Sequence, residues 1–150
     1  MNSDRLETYI EQLEKLTPDS LDHLLDRVSP TVRFCDPFND CRGKDNFRAV
    51  FVDMLANLEA HAFNVTAHAW CDGELKQQAL MTWRLEAKLV RFGARPWAAE
   101  GSSVILFDAA GLVAQHIDHW DAAGQLYTHL PVIGSLMRYL QRRLGVLSRT

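Results

Sequence analysis

The sequence of 150 residues predicts an α+β protein, in which a curved antiparallel sheet forms a cone around N-terminal helices. Three observations predict this class. Apolar residues recur at helical spacing up to residue 58, alternate with polar residues from 63 to 120, and return to helical spacing after 130. Turn sequences separate the alternating segments, so consecutive strands are expected to pair as hairpins. A strongly bent sheet closed by helices is expected to enclose a pocket.

Two helices are predicted at the N-terminus. The first has roughly four turns and ends before Pro18. Its apolar face consists of Leu6, Tyr9, Ile10, Leu13 and Leu16. The second begins at a cap formed by Asp19 or Ser20 and is expected to continue up to Pro30. Its apolar face consists of Leu21, Leu24, Leu25 and Val28.

A short strand, a loop and a third helix are predicted next. The stretch TVRFC (31–35) alternates and is β-branched, which favours a strand that ends at Asp36 and Pro37. The following FNDCRG (38–43) is predicted to be loop. A helix then begins at Lys44 or Asp45 and presents an apolar face as far as Leu58.

Four further strands are predicted as a meander. Their cores are FNVTAHAW (63–70), KQQALMTWRLEAKLVRF (76–92), PWAAEGSSVILF (96–107) and LVAQHIDHW (112–120). Asp72-Gly73 and the segments 108–111 and 121–124 provide the turns. An extra C-terminal amphipathic helix is expected over 130–147, and the whole chain, 1–150, is predicted to form a single domain.

Composition limits the classes of partner. The net charge of −3 provides no field that would attract nucleic acid. No apolar run reaches 18 residues, so no membrane span is predicted. Three cysteines without a CxxC pair predict free thiols in a reducing compartment, and the N-terminus lacks an apolar signal region. These features favour a cytoplasmic location.

The charge is distributed unevenly along the chain. Residues 1–30 contain seven carboxylates and three basic side chains, whereas residues 131–150 contain four arginines and no carboxylate. Two helices of opposite charge can contact each other within the fold or across an oligomer. A basic tail that faces a membrane is the alternative.

The segment AQHIDHWD (114–121) is the densest group of chemically active side chains. Strand alternation places His116, Asp118 and Trp120 on one face and His119 on the other. Only two possible metal ligands therefore share a face, and Asp36 would have to supply a third. Acid/base chemistry is favoured over a metal site, and neither a metal nor a cofactor is predicted.

Two stretches carry a resemblance to a known superfamily. They are VRFCDPFNDCRGKDNFRAVF (32–51) and FDAAGLVAQHIDHWDAAGQLYTHLP (107–131). The chain resembles the superfamily of nuclear transport factor 2, the ketosteroid isomerases and the SnoaL-like polyketide cyclases, over about residues 5 to 131. The resemblance implies the cone-shaped fold and a homodimer formed through the outer face of the sheet.

The resemblance also implies a site. Asp36 matches the general base of the steroid isomerases, and Asp118 matches the acid/base carboxylate of the cyclases. His116 and Asp118 would serve as proton shuttle or oxyanion partner. The side chains expected to contact a ligand are Phe38, Met81, Trp83, Trp97, Ser103 and Trp120. A carboxylate in such an apolar cone loses hydration, and this raises its pKa toward neutrality.

The chain departs from the isomerase pattern at the oxyanion donors. In the isomerases a neutral carboxyl group donates to the developing oxyanion, and its position falls on or near Ser103. The position of the isomerase tyrosine falls near Gln12, and Tyr9 lies one helical turn away. Steroid isomerisation by that arrangement is therefore disfavoured. Arg84 is expected to point outward, which disfavours an epoxide hydrolase.

The predicted function is cofactor-free proton transfer on a small apolar carbonyl compound, steroid-like or polyketide-like, as in isomerases and cyclases. Two alternatives stay open. One is a binding protein of the same fold without chemistry, and the other is a protein-interaction module. Asp36 has its own alternative, because an Asp at a strand end can simply form the turn that follows it.

Overall fold

The computed structural model describes residues 2–72, 74 and 77–145. The helices are α1 (Asn2–Glu14), α2 (Leu21–Leu25), α3 (Lys44–Asn57), α4 (Ala122–Gln125) and α5 (Ile133–Leu144). The strands are β1 (Val28–Cys35), β2 (Asp40–Arg42), β3 (Leu58–Trp70), β4 (Gln78–Leu89), β5 (Arg95–Phe107) and β6 (Val113–Trp120). The predicted turn residue Gly73 and the predicted helix end at Leu147 lie outside the described residues.

The six strands form one curved, unclosed sheet in the order β2-β1-β6-β5-β4-β3. Strands β3 to β6 pair antiparallel with their chain neighbours, which confirms the predicted α+β class and the meander. Strand β1 joins this meander by pairing in parallel with β6, and it places Phe34 opposite His116. The antiparallel register places Ser103 between Met81 and Asp118. Side chains that are far apart in sequence are therefore neighbours on the inner face.

The second helix is shorter than predicted, and β1 begins earlier. Helix α2 ends at Leu25, and Val28 is the first residue of β1 rather than the end of a helical face. Val28 is fully buried and pairs with Val113 of β6. Burial of a β-branched residue in the sheet outweighs its fit to the helical spacing of Leu21 and Leu24.

The predicted loop 38–43 contains the short strand β2, which pairs antiparallel with β1. Arg33 donates two hydrogen bonds to the carboxylate of Asp40, at 2.9 and 2.8 Å. These bonds lower the pKa of Asp40 and raise that of Arg33. Three residues with alternating exposure give too short a pattern to identify a strand, so the pairing became visible only in three dimensions.

Strand β3 begins at Leu58, five residues before the predicted start. It follows α3 directly, and the pairing with β4 is irregular between Glu59 and Ala62. Ala60 adopts a positive φ of 51° in this segment. The irregularity breaks the period-two pattern, so His61 could not be assigned to a face from the sequence.

The core lies between the helices and the inner face of the sheet. Its largest fully buried side chains include Tyr9 and Leu6 of α1, Phe47 of α3 and Met81 of β4. The rings of Phe47 and Phe51 stack with their centroids 4.5 Å apart. Helix α1 therefore lies against the sheet through the apolar face that its spacing predicted.

The outer face of the sheet is polar at its centre. Arg84 donates hydrogen bonds to Glu86 at 2.8 Å and to Glu100 at 2.6 Å. Its side chain points away from the core, as the alternation of β4 predicted. Within the described part of the chain, no helix has the length and apolar character needed to cross a membrane.

The C-terminal helical segment is divided into parts. Helix α4 is followed by a 3-10 turn, Tyr127–His129, and α5 begins at Ile133 rather than at residue 130. Asp121 caps α4 by accepting a hydrogen bond from the backbone N–H of Gly124 at 2.8 Å. The Asp-Ala-Ala-Gly sequence therefore forms a capped helical turn after β6.

Gly101 of β5 allows the ring of Trp83 to lie directly on the strand. A Cβ atom at this position would lie 2.6 Å from Cζ2 of Trp83 and 2.8 Å from the carbonyl oxygen of His119. Both distances are shorter than van der Waals contact allows. Gly101 is therefore a requirement of the packing around Trp83.

Replacement of Gly101 by alanine should lower the free energy of unfolding by about 1–3 kcal/mol, because the added methyl group forces Trp83 and the backbone apart. Urea denaturation followed by far-UV circular dichroism measures this change. Ser102→Thr is the matched control, since it adds one methyl group to the neighbouring position of opposite facing and should change stability by less. Equal stability of Gly101→Ala and wild type would contradict the tight packing of Trp83.

Candidate functional site

A continuous chain of hydrogen bonds connects α1 to three strands of the sheet. Tyr9 Oη lies 2.8 Å from His116 Nδ1, and His116 Nε2 lies 2.8 Å from Asp118 Oδ1. Ser103 Oγ donates to the same Asp118 oxygen at 2.5 Å. Trp83 Nε1 donates to Ser103 Oγ at 2.8 Å. Four side chains thus hold the Asp118 carboxylate directly or through one intermediate.

The donors of this chain can be assigned from its ends. An indole N–H only donates, so the hydroxyl proton of Ser103 is directed to Asp118. When Asp118 is ionised, His116 Nε2 must carry the proton between the two groups. In the neutral ring, His116 Nδ1 then accepts from the hydroxyl of Tyr9. Every hydrogen bond from described residues to the Asp118 side chain ends on Oδ1, so Oδ2 is left for a ligand.

Burial keeps Tyr9 in its neutral, donating form. The side chain is fully buried, and this loss of hydration raises the pKa of the phenol well above 10.0, with a further contribution from the charge of Asp118. The ring also contacts His116 edge to face, with centroids 5.8 Å apart. Tyr9 therefore helps to fix the orientation of the imidazole.

The Asp118 carboxylate borders a cavity of about 270 Å³ on the inner side of the sheet. Its walls are mainly apolar and come from α1, α3 and the inner faces of the strands. They include Leu13, Phe34, Phe51, Leu85, Trp97 and Leu126. His116 is almost fully buried, whereas the Asp118 side chain retains 20% exposure. Asp118 therefore borders an apolar space while its Oδ1 is held by hydrogen bonds.

Aromatic rings form one wall of this cavity. The ring centroid of Trp120 lies 5.8 Å from that of Trp97 and 5.7 Å from that of Phe38. The indole N–H of Trp97 donates to the carbonyl oxygen of Gln125 at 2.7 Å, which attaches the wall to α4. Phe38 is 52% exposed, so this wall reaches the surface. Aromatic faces of this kind suit a flat apolar ligand.

Asp36 borders the same cavity, but its carboxylate is bonded within its own loop. Its Oδ1 accepts hydrogen bonds from the backbone N–H groups of Phe38 at 2.8 Å and Asn39 at 2.6 Å. The side-chain amide of Asn39 donates to both carboxylate oxygens, at 3.1 and 3.3 Å. Asp36 thus forms the turn after β1, which is the alternative that its position at a strand end allowed.

The predicted site residues divide into two sets. Seven of them border the cavity: Asp36, Phe38, Trp83, Trp97, His116, Asp118 and Trp120. Met81 and Ser103 face inward but are buried behind that surface, with 1% and 0% exposure. Ser103 contacts Asp118 instead of the cavity, and Met81 packs in the core. Strand alternation and the resemblance predicted which face of the sheet each residue occupies, but not how deeply it is buried.

Sequence reasoning missed two residues near the site. Tyr9 was noted only for its distance from the expected tyrosine position, yet its hydroxyl contacts His116. His61 borders the cavity, and its Nε2 lies 2.8 Å from the carbonyl oxygen of Leu16. The helical spacing of Tyr9 indicated a core residue, and the irregular start of β3 concealed the facing of His61.

The described residues provide no metal site. No group of three or more His, Cys, Asp or Glu side chains in this part of the chain is arranged to hold a metal ion. His119, which lies three residues after His116, is exposed on the opposite face of β6. The cluster in AQHIDHWD is therefore split by the strand, as its alternation predicted.

Comparison with known proteins gives a consistent classification. The family model of the SnoaL-like domain matches residues 7–116. No curated protein matches the chain.

Several solved structures have a similar fold. An NTF2-like protein of unknown function from Exiguobacterium sp. 255-15 aligns with a TM-score of 0.67 and 12% identity, over 78% of this chain and 98% of that chain. SalBIII, an epoxide hydrolase/cyclase-like enzyme with a role in pyran ring formation in salinomycin, aligns with a TM-score of 0.68 and 10% identity, over 80% of this chain and 90% of that chain. TsrD from Streptomyces laurentii aligns with a TM-score of 0.62 and 20% identity, over 97% of this chain and 95% of that chain. At these identities the likeness shows the fold alone.

Tyr9→Phe should alter stability in two ways. At neutral pH the free energy of unfolding should fall by about 1–3 kcal/mol, because a buried acceptor on His116 loses its donor. Since the folded-state pKa of Tyr9 is raised, wild type should also lose stability as the pH rises above 10.0, where the unfolded phenol ionises first. Tyr9→Phe should lack the part of the alkaline loss of stability that comes from ionisation of Tyr9.

Urea denaturation at a series of pH values measures both effects. Tyr139→Phe is the matched control, since Tyr139 is 52% exposed and its removal should leave the alkaline slope as in wild type. If Tyr9→Phe and wild type lose stability equally above pH 10.0, the phenol is not held neutral by burial.

Proposed function

Because the chain belongs to the SnoaL-like domain family, we propose that it catalyses proton transfer on a small apolar carbonyl compound, as isomerases and cyclases do. One observation carries the proposal. Asp118 borders an apolar cavity and is held on Oδ1 by His116 and Ser103, while no hydrogen bond from the described residues ends on its Oδ2. A fixed carboxylate in such surroundings suits general base catalysis.

Asp118 is the proposed catalytic residue. In the first step the bond between hydrogen and the carbon next to the carbonyl breaks, and the proton passes to Oδ2 of Asp118. The electron pair moves to the carbonyl oxygen and forms an enolate. The enolate then regains a proton at another carbon, or its carbon attacks a second carbonyl and closes a ring. Asp118 returns the proton, so the cycle needs neither a redox partner nor a cofactor.

His116, Ser103 and Tyr9 are proposed as positioning residues. Both ring nitrogens of His116 already have partners, Tyr9 on one side and Asp118 on the other. This favours an orienting role over the oxyanion contact that the sequence suggested for His116. The hydrogen bonds to Oδ1 hold the carboxylate in one rotamer, which keeps Oδ2 directed toward the ligand.

The cavity supports a compact, apolar substrate. Its volume of about 270 Å³ lies near the lower end of small-molecule sites, roughly 300–1,000 Å³. The wall formed by Phe38, Trp97 and Trp120 can stack against a planar ring system. A ring compound with a carbonyl group, polyketide-like or steroid-like, satisfies both conditions.

Asp36 is the second carboxylate at the cavity and the alternative base. Its bonds to Phe38 and Asn39 support a structural role at the rim instead. The two carboxylates can be separated by experiment, because only one of them is expected to exchange protons with the substrate.

A binding protein without chemistry is the second candidate. It is favoured by the absence of a strong oxyanion donor beside Asp118 among the described residues, since His116 and Ser103 are both engaged with Oδ1. Loss of such a donor costs an enzyme about 3 kcal/mol of transition-state stabilisation. The homodimer through the outer sheet face and the cytoplasmic location stay predictions.

Asp118→Asn should abolish proton exchange with the substrate. We expect wild type to replace hydrogen by deuterium next to the carbonyl of enolisable ring ketones in D₂O, as followed by NMR. The isosteric amide cannot accept the proton, so the exchange rate should fall by about 100-fold or more. Asp36→Asn should retain most of the exchange and lose stability in the loop it supports.

Ligand binding in the same samples separates enzyme from binder. Tryptophan fluorescence or native mass spectrometry should detect the ketone in wild type and in Asp118→Asn alike. Binding without any exchange in wild type would support the non-catalytic candidate. Exchange that persists in Asp118→Asn but disappears in Asp36→Asn would transfer the base to Asp36.

A further inference from the structure

Helix α5 carries a row of exposed apolar side chains. The row has helical spacing and consists of Ile133, Leu136, Leu140 and Leu144. Val132, directly before the helix, and Leu144 at its end are each 83% exposed. Six of the eleven exposed large apolar side chains of the described residues lie between positions 132 and 144. Exposed apolar surface concentrated in one element marks a contact surface.

The opposite side of α5 attaches the helix to the rest of the protein. A Cβ atom on Gly134 would lie 2.5 Å from the carbonyl oxygen of Thr128, so the helix approaches that segment closely. Arg138, one turn later, donates a hydrogen bond to the same oxygen. Because Gly134 and Arg138 face the body, the apolar row points away from it.

The charge around this row is positive. Arg138, Arg142 and Arg143 belong to α5, and no Asp or Glu occurs after Asp121 in the sequence. Arg143 lies beside the apolar row, at the position next to Leu136 around the helix. A short helix with a leucine-rich row and arginines but no acidic side chains has the composition of helices that lie in a membrane surface.

Exposed apolar residues of the β4–β5 connection lie near the start of α5. Phe92, which is 42% exposed, borders a second cavity of about 390 Å³ together with Leu130 and Pro131. Val90, two residues earlier, is 46% exposed, and Arg95 borders the same cavity. The β4–β5 connection therefore lies beside the residues that directly precede α5.

Pairing of α5 with the α5 of a second copy fits this surface less well. If two α5 helices paired through their apolar rows, the arginines of both copies would come together without a carboxylate on either helix to balance them. Lipid phosphates supply that negative charge and accept the leucine side chains between the headgroups.

We propose that α5 docks onto the surface of an anionic lipid bilayer, with its apolar row inserted at the headgroup level and Arg143 beside the phosphates. The contact is peripheral and reversible, because a single short helix buries little apolar area. It is independent of the proton transfer proposed for Asp118.

Vesicle co-sedimentation of the full chain tests the proposal. We expect binding to vesicles of phosphatidylcholine mixed with phosphatidylglycerol, weaker binding to phosphatidylcholine alone, and release as the salt concentration rises. Leu136→Glu should weaken binding at least about ten-fold, because it places a charge in the inserted row. Leu80→Glu is the matched control, since Leu80 is 47% exposed on β4 and should bind as wild type does.

A second variant tests the charge separately. Arg143→Gln should weaken binding by about five-fold and reduce its salt dependence. Circular dichroism verifies the fold of each variant, and light scattering gives its oligomeric state. No binding of wild type to anionic vesicles, or equal loss in Leu80→Glu and Leu136→Glu, would overturn the proposal. A dimer that Leu136→Glu dissociates, without lipid binding, would assign the surface to a second copy.

Discussion

The buried hydrogen-bond chain from Tyr9 through His116, Asp118 and Ser103 to Trp83 is the constraint on which the site depends. It joins α1, β6, β5 and β4, so the helix and the strands must dock in one register for it to form. Tyr9, His116 and Ser103 are nearly or fully buried, so a broken link would leave a buried polar group without a partner at a cost of about 1–3 kcal/mol. The same chain fixes Oδ1 of Asp118, a residue that borders the cavity, and ends no hydrogen bond on its Oδ2. The hydrogen bonds that hold α1 against the sheet therefore also orient the carboxylate that we propose as the base.

The class of fold could be predicted because local patterns determine it. Alternation from Phe63 to Trp120 and helical spacing on both sides of it were sufficient for an α+β meander. The errors occurred where distant pairing decides the local structure. Val28 fits a helical face but pairs with Val113, and the strand Asp40–Arg42 exists because β1 lies beside it. No pattern within three residues contains that information.

The sequence predicted which face of the sheet the site residues occupy, but not how deeply each of them is buried. Strand alternation separated His116 and Asp118 from His119, and the resemblance placed the first two inside, as observed. It did not distinguish residues that border the cavity from those behind it, so Ser103 and the core residue Met81 were expected at a ligand. The contact between Tyr9 and His116 spans 107 positions and depends on how α1 docks on the sheet. That docking follows from packing of the whole core, which sequence periodicity does not specify.

The tautomer of His116 tests the central claim most directly. Nitrogen-15 NMR of protein labelled at histidine distinguishes the two neutral tautomers from the charged ring. The hydrogen-bond chain predicts that His116 carries its proton on Nε2 and accepts a hydrogen bond at Nδ1, and that the Nδ1 resonance shifts in Tyr9→Phe. A proton on Nδ1, with Nε2 unprotonated, would contradict the account, because Asp118 would then have lost one of the two donors that orient it.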